Sequence, residues 1–139
     1  MELSKAVRTG YYSALSGVIS APVFDAFALP NGVDYPYVII SSQSSVQRTV
    51  KRCKVYDLSI VIDIVTGSPN VIGMSQAEDI AEEIENIINP DTFEDIDIRA
   101  NGYKIGDTRR IADNQITTKN EVNYIFRKLI TYSHIIHKI

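Results

Sequence analysis

The chain contains no tryptophan, one cysteine and two histidines, and these scarcities remove several functions before any pattern is read. A single thiol, Cys53, cannot close an internal disulfide and has no second cysteine with which to hold a metal, so it reads as a strand residue. Long apolar runs are missing too. No stretch approaches the ~18–20 uninterrupted apolar residues of a membrane-spanning helix, and Met1-Glu2-Leu3-Ser4-Lys5 lacks the charged-then-apolar layout of a secretory signal. A soluble product, intracellular when made, is the expectation. There is no P-loop, no Gly-x-Gly-x-x-Gly, no Gly-x-Ser-x-Gly and no His-Glu-x-x-His, and no cofactor is expected.

What is present suits one compact domain, residues 1–139: 45% of the residues are hydrophobic and 22% charged, enough for a real core. The net charge of -3 hides a polar distribution. Residues 75–97 hold nine acids and no base, which leaves fourteen cations against eight acids elsewhere, a net +6. Arg48, Lys51, Arg52 and Lys54 form one basic stretch and Arg109 with Arg110 another. Such asymmetry suits docking of unlike faces; it equally describes a solvated helix and two solvated hairpins.

Along the chain, Leu3, Ala6, Val7, Tyr11, Ala14 and Leu15 recur at helical spacing, with Gly17 and Pro22 placed to end the helix. A short extended run, Val23 to Leu29, precedes a Pro30-Asn31-Gly32 turn and a second strand beginning at Tyr35-Pro36-Tyr37-Val38-Ile39-Ile40. Residues 41–54, polar and then basic, read as an exposed hairpin arm. The next strand alternates clearly: Tyr56, Leu58, Ile60, Ile62 and Ile64 on one face, Asp57, Ser59, Val61, Asp63 and Val65 on the other. One side of the sheet should therefore be packed, the other partly open to water or a neighbouring subunit. Ser75-Gln76-Ala77-Glu78 matches a capping box, and Ala77, Ile80, Ala81, Ile84, Ile87 and Ile88 fall in one arc of the helix that Asn89-Pro90 ends. The rest reads as β: a run around Phe93 to Ile98, a turn at Asn101-Gly102, a strand from Tyr103 to Ala112 and a long closing strand from Glu121 to about Ile136. That length suggests an overhanging edge that could pair with another chain. The predicted class is α+β, a mostly antiparallel sheet with two helices on one face, in the order α-β-β-β-α-β-β-β.

Candidate chemistry is sparse. His134 and His137, at odd spacing, turn to opposite faces of a strand and read as surface or interface residues. Asp57 and Asp63 share a strand face but lie roughly 20 Å apart, too far for one ion. Asp79 with Glu83 and Glu78 with Glu82 sit at metal-compatible helical spacing, yet such pairs usually form a hydrated face. The stretch from Arg48 to Lys54 has no aromatic on which a base could stack, which argues against specific nucleic-acid recognition.

Three features together resemble one family. The amino-terminal helix leads into Val23-Phe24-Asp25-Ala26-Phe27, a Pro-Asn-Gly turn and Tyr35-Pro36-Tyr37-Val38-Ile39-Ile40; Leu58 to Thr66 forms a central strand before a Ser-containing turn and an Ala-Glu-x-Ile-Ala helix; a long strand closes the chain. This pattern resembles the tail-completion, or tail-terminator, family of long-tailed bacteriophages. Val65 stands where that family usually carries an aromatic, and residues 91–120 have no counterpart in the match. The resemblance implies a non-enzymatic virion protein of the tail or neck, assembled in the host cytoplasm. It would form a hexameric ring at the head-proximal end of the tail, stop tube growth, and bind the tube protein and a neck or head-completion protein, with DNA free to pass through. The arm from Ser44 to Lys54 and the hairpin end around Asn114 to Asn120 are then the candidate contacts, with Arg48, Lys51, Arg52, Lys54, Asn114, Thr117 and Lys119 as interface residues. Another neck or stopper ring, a small metal-dependent enzyme and a nucleic-acid-binding module are the rival readings.

Overall fold

The computed structural model describes residues 1–139 apart from 26–31, 51, 71–72 and 93–94. Helix α1 spans Leu3–Leu15 and α2 spans Ser75–Ile88; the strands are β1 Val23–Asp25, β2 Tyr37–Val50, β3 Cys53–Ser68, β4 Tyr103–Lys119 and β5 Tyr124–Lys138. They form one five-stranded sheet in the order β1-β2-β3-β5-β4. Only β1 against β2 is parallel; the other pairs are antiparallel. The α+β class holds, in the order α-β-β-β-α-β-β.

Both helices cover the same face. Leu3, Ala6, Val7, Tyr11 and Leu15 of α1 and Ala77, Ile80, Ala81, Ile84 and Ile88 of α2 are buried. They pack in one core with Val38, Ile40, Leu58, Ile60, Ile62, Ile64, Ile130, Tyr132 and Ile136 of the sheet. Each fully buried isoleucine here contributes on the order of 1.5–3 kcal/mol relative to an exposed one. The alternation of β3 determines which face is covered, because the register of a strand with one apolar face cannot slip by a single residue.

Helix α1 starts where Glu2 accepts from the backbone amides of Ser4, at 3.0 Å, and Lys5, at 3.4 Å. It ends at Ser16, with Gly17 following at φ 76, the left-handed conformation that favours glycine after a helix. At α2 the expected capping box does not form. Ser75 is already helical, Met74 occupies the cap and no side chain caps the helix. The helix holds without it because its apolar arc is buried, and packing outweighs a single cap. Glu83 also accepts from both the amide and the hydroxyl of Ser20, at 2.9 Å each, tying α2 to the segment after α1.

The strand expected around Phe93 to Ile98 is absent from its described part: residues 95–98 carry no regular structure and lead into a short 3-10 turn, Arg99–Asn101. Ile98 is buried against α1 instead. A Cβ on Gly10 would lie 2.4 Å from Ile98 Cγ2, so this strap approaches α1 as closely as it does only because position 10 has no side chain. The expected turn at Pro30-Asn31 lies outside the described residues. Both hairpin strands exceed expectation, since β2 continues across an irregularity between Ile40 and Gln43 into the arm and β4 continues past Ala112 to Lys119.

Gly10→Ala should destabilise the protein by about 1–3 kcal/mol through overpacking, although alanine by itself favours a helix by about 1 kcal/mol. Chemical denaturation of the two forms checks the sign. An equal or raised midpoint would mean that the strap is not seated against α1.

Candidate functional site

Two hairpins project from the covered part of the sheet, at opposite ends. In the first, β2 and β3 pair from Gln43↔Ile60 to Val50↔Cys53, and residues 44–48 are exposed. In the second, β4 and β5 pair out to Lys119↔Tyr124, and residues 113–119 are exposed.

Arg48 and Lys54 sit on the first hairpin, and Arg52 occupies its tip at φ 76; Lys51 lies outside the described residues. Arg48 Nε pairs with Asp57 Oδ2 at 2.5 Å while its side chain stays 64% exposed, so little of its charge is withdrawn from the surface. Arg52, Cys53 and Lys54 are exposed. Asn114, Thr117 and Lys119 all lie on the exposed length of β4. Lys119 Nζ stands 4.9 Å over the Tyr124 ring. The Asn120 side chain closes this second tip by accepting from the amides of Val122, at 2.9 Å, and Asn123, at 2.6 Å. The two groups of sequence candidates are thus placed at opposite ends of the molecule rather than brought together.

Between the hairpins lies the face that no helix covers. Tyr37 and Ile39 of β2, Val61 and Val65 of β3, and Leu129 and Ile135 of β5 share it by register. Near the second hairpin, Tyr35, Tyr37, Ile39, Val65, Ile125 and Arg127 line a shallow hollow. The Tyr35 and Tyr37 rings stack at 5.7 Å, and Gly67 leaves room for Tyr35, whose ring would sit 2.6 Å from a Cβ at that position. Asp63, also on this face, is buried and ion-paired with Arg127. The two aspartates that share a β3 face are therefore each taken by a different arginine. Among the described residues no group of three or more His, Cys, Asp or Glu side chains could hold a metal ion.

The expectation that His134 is a surface or interface residue is corrected by the structure. It faces the helices and is 1% exposed, whereas His137 on the other face is exposed. Tyr11 Oη bonds His134 Nε2; Thr108 Oγ1 lies 3.0 Å from His134 Nδ1 and donates to Asp95 Oδ1 at 2.9 Å. Burial pushes the imidazole down to about 4, against the smaller opposing effects of Asp95 and Asp107. A second cluster links α2 to β4 and β5. The Tyr132 hydroxyl donates to Glu85, Lys128 Nζ meets Asp113 Oδ2 at 2.7 Å, and Arg110 Nη2 meets the same oxygen at 2.6 Å. Burial and the Glu85 carboxylate together hold the Tyr132 phenol well above its usual range. Each member has a partner within the chain, which gives these clusters a structural role. Sequence periodicity put Tyr132, His134 and Ile136 on one face but could not say that α1 would supply Tyr11.

No protein-family model matches the chain, and no curated protein matches it. Among solved structures twenty chains match. One belongs to a structure described as the virion of a native gene transfer agent particle; it superposes with a TM-score of 0.63 at 10% identity, over 96% of this chain and 90% of that one. The fold is therefore shared, over nearly the whole of both chains, with a component of that particle.

A neutral buried His134 fixes a pH dependence. The unfolded chain takes up this proton near pH 6.5 and the folded one only near 4, so the folded state binds fewer protons between those values. Stability should be complete above about pH 6.5 and fall by up to roughly 3 kcal/mol as pH drops toward 4. Denaturation midpoints of the wild type and His134→Gln between pH 4.5 and 7 test this. The variant should lose stability at neutral pH and show a shallower slope; parallel curves would contradict the assignment.

Proposed function

We propose that this chain is a structural virion protein that forms a ring at the head-proximal end of a phage tail, ending tube growth and joining tail to neck. It works without catalysis. The observation that carries this reading is the correspondence, over nearly the whole of both chains, with a component of a virion-type particle. Its support within the molecule is the provision for contacts: two projecting hairpins, an uncovered sheet face with apolar side chains, and a charge distribution that sets a basic arm against an acidic helix. In a ring of head-to-tail contacts each subunit offers one surface to the tube and another to the neck, so growth stops for geometric reasons alone. A hexamer is the proposed stoichiometry. Its partners are the tail tube protein and a neck or head-completion protein; no metal or cofactor takes part, and DNA would pass through the ring without sequence-specific contacts.

Deleting the gene should give tails of uncontrolled length that fail to join heads. Normal tails with a defect confined to DNA retention would move the protein to the head side of the neck, as a stopper ring. Within the chain, replacing Arg48, Lys51, Arg52 and Lys54 by glutamate should abolish assembly into particles while leaving the thermal midpoint of the monomer within a few degrees of wild type. Unimpaired assembly would remove the arm from the mechanism.

A further inference from the structure

The sheet ends in two edges with no strand partner among the described residues. Strand β1 pairs with β2 at Val38, Ile39 and Ile40, beyond which no described residue pairs with the outer side of β2, and β4 closes the other end of the strand order. Irregularities divide both edges. The ladder of β2 is broken between Ile40 and Gln43 and that of β4 between Ile105 and Asp107 and between Arg110 and Ala112. The longest unbroken run on each edge is 43–50 on β2 and 112–119 on β4, and each is eight residues long.

These runs lie at diagonally opposite corners of the sheet. Residues 43–50 are level with 53–60 of β3, whereas 112–119 are level, through β5, with 61–68. Their directions are fixed as well: β2, β3, β5 and β4 alternate across the sheet, so β2 and β4 run oppositely. Copies related by rotation and set edge to edge keep those directions, and β4 of one copy then meets β2 of the next antiparallel. Both runs carry an exposed aliphatic where an edge is usually guarded by charge, Val46 at 65% and Ile116 at 43% exposure.

We propose that subunits join head to tail by pairing residues 43–50 of one copy with 112–119 of the next, in the register that overlaps the two runs completely. This contact rests on the ring reading above and specifies its joint. In that register Val46 stands opposite Ile116, both on the helix-free face, as the pairing of Val46 with Asp57 and of Ile116 with Arg127 requires. Ser44 meets Thr118, Ser45 meets Thr117 and Arg48 meets Asn114, combinations of hydroxyl and polar partners that suit cross-strand neighbours. Neighbouring subunits are displaced along the strands by about eight residues, roughly 27 Å. A stagger between tilted strands is what closing a sheet on itself demands.

The test uses the full chain with Cys53→Ser, carrying Val46→Cys and Ile116→Cys together or singly, and a short bifunctional thiol cross-linker. The double variant should give a ladder on denaturing gels that stops at the ring number. Each single variant should remain one band, because a head-to-tail joint never brings like positions together. Val46→Cys with Gln115→Cys, whose side chains would leave opposite faces, should cross-link far less. A wild-type ring with no ladder from the double variant would overturn the edge pairing and leave the ring standing. Dimers from either single variant would show a two-fold joint and overturn it too. A wild type that stays monomeric at every concentration, alone and with tail tubes, would sink the ring reading and this joint with it. As a second measurement, Val46→Lys with Ile116→Lys should abolish ring formation with the thermal midpoint unchanged; rings formed by that variant would also refute the joint.

Discussion

The length of the central ladder constrains everything else. Strands β3 and β5 pair without interruption from Val55↔His137 to Ser68↔Tyr124, fourteen rungs, or about 46 Å at the rise of a strand. The helices that cover it have thirteen and fourteen residues, only about 20 Å each at the rise of a helix. Two helices of that length can cover the middle of such a sheet but not both ends, so the hairpins must stand free of the core. The projections follow from this mismatch of lengths. Burial records it: every second residue of β3 from Leu58 to Ile64 is buried, while residues 44–48 and 113–119 are exposed on both faces.

Buried polar groups then fix how the helices sit on the middle of the ladder. An apolar interface alone tolerates small rotations, whereas the Tyr11–His134 and Tyr132–Glu85 bonds each demand one placement of α1 and of α2 over β5. A lost partner would leave a buried donor or acceptor unsatisfied, at about 1–3 kcal/mol. Lys128, 5% exposed and paired with Asp113, likewise tethers the start of the projecting length of β4 to its neighbour β5. These bonds contribute orientation of the helices on the sheet more than net stability.

The sequence disclosed the covered part of this structure well and the free part poorly, for one physical reason. Leu3–Leu15, the alternating core of β3 and the apolar arc of α2 each have one buried side, and burial writes a period into the chain. A ribbon with water on both faces writes none. Residues 41–50 and 113–119 are therefore legible as exposed and polar but not as continuations of β2 and β4. Ile96 and Ile98 misled in the opposite way, since two isoleucines at strand spacing serve a strap whose Ile98 fills the space left by Gly10. Ser75 matched a cap by spacing while α2 began one residue earlier than a cap allows. Arg48, Arg52, Lys54, Asn114, Thr117 and Lys119 are exposed, as charged and turn residues on such a ribbon lead one to expect. The sheet face between them was foreseen as open, but Tyr35, Ile125 and Arg127 converge on it only through register, which one sequence does not carry.

An unguarded edge also has to resist pairing with the wrong chain. Here the bulges do that. By breaking β4 at 105/107 and 110/112 and β2 at 40/43, they shorten each free edge to a length that only an equally long partner satisfies throughout. The basic tip adds a second restraint, because two copies meeting arm to arm would oppose Arg48, Arg52 and Lys54 with themselves, while the acids concentrate on α2 and the segment that leads to β4. Like-charge contact disfavours the symmetric dimer and leaves the unlike pairing available. In the proposed ring, the same features that disfavour the symmetric orientation leave the rotational one open, which is what head-to-tail closure requires.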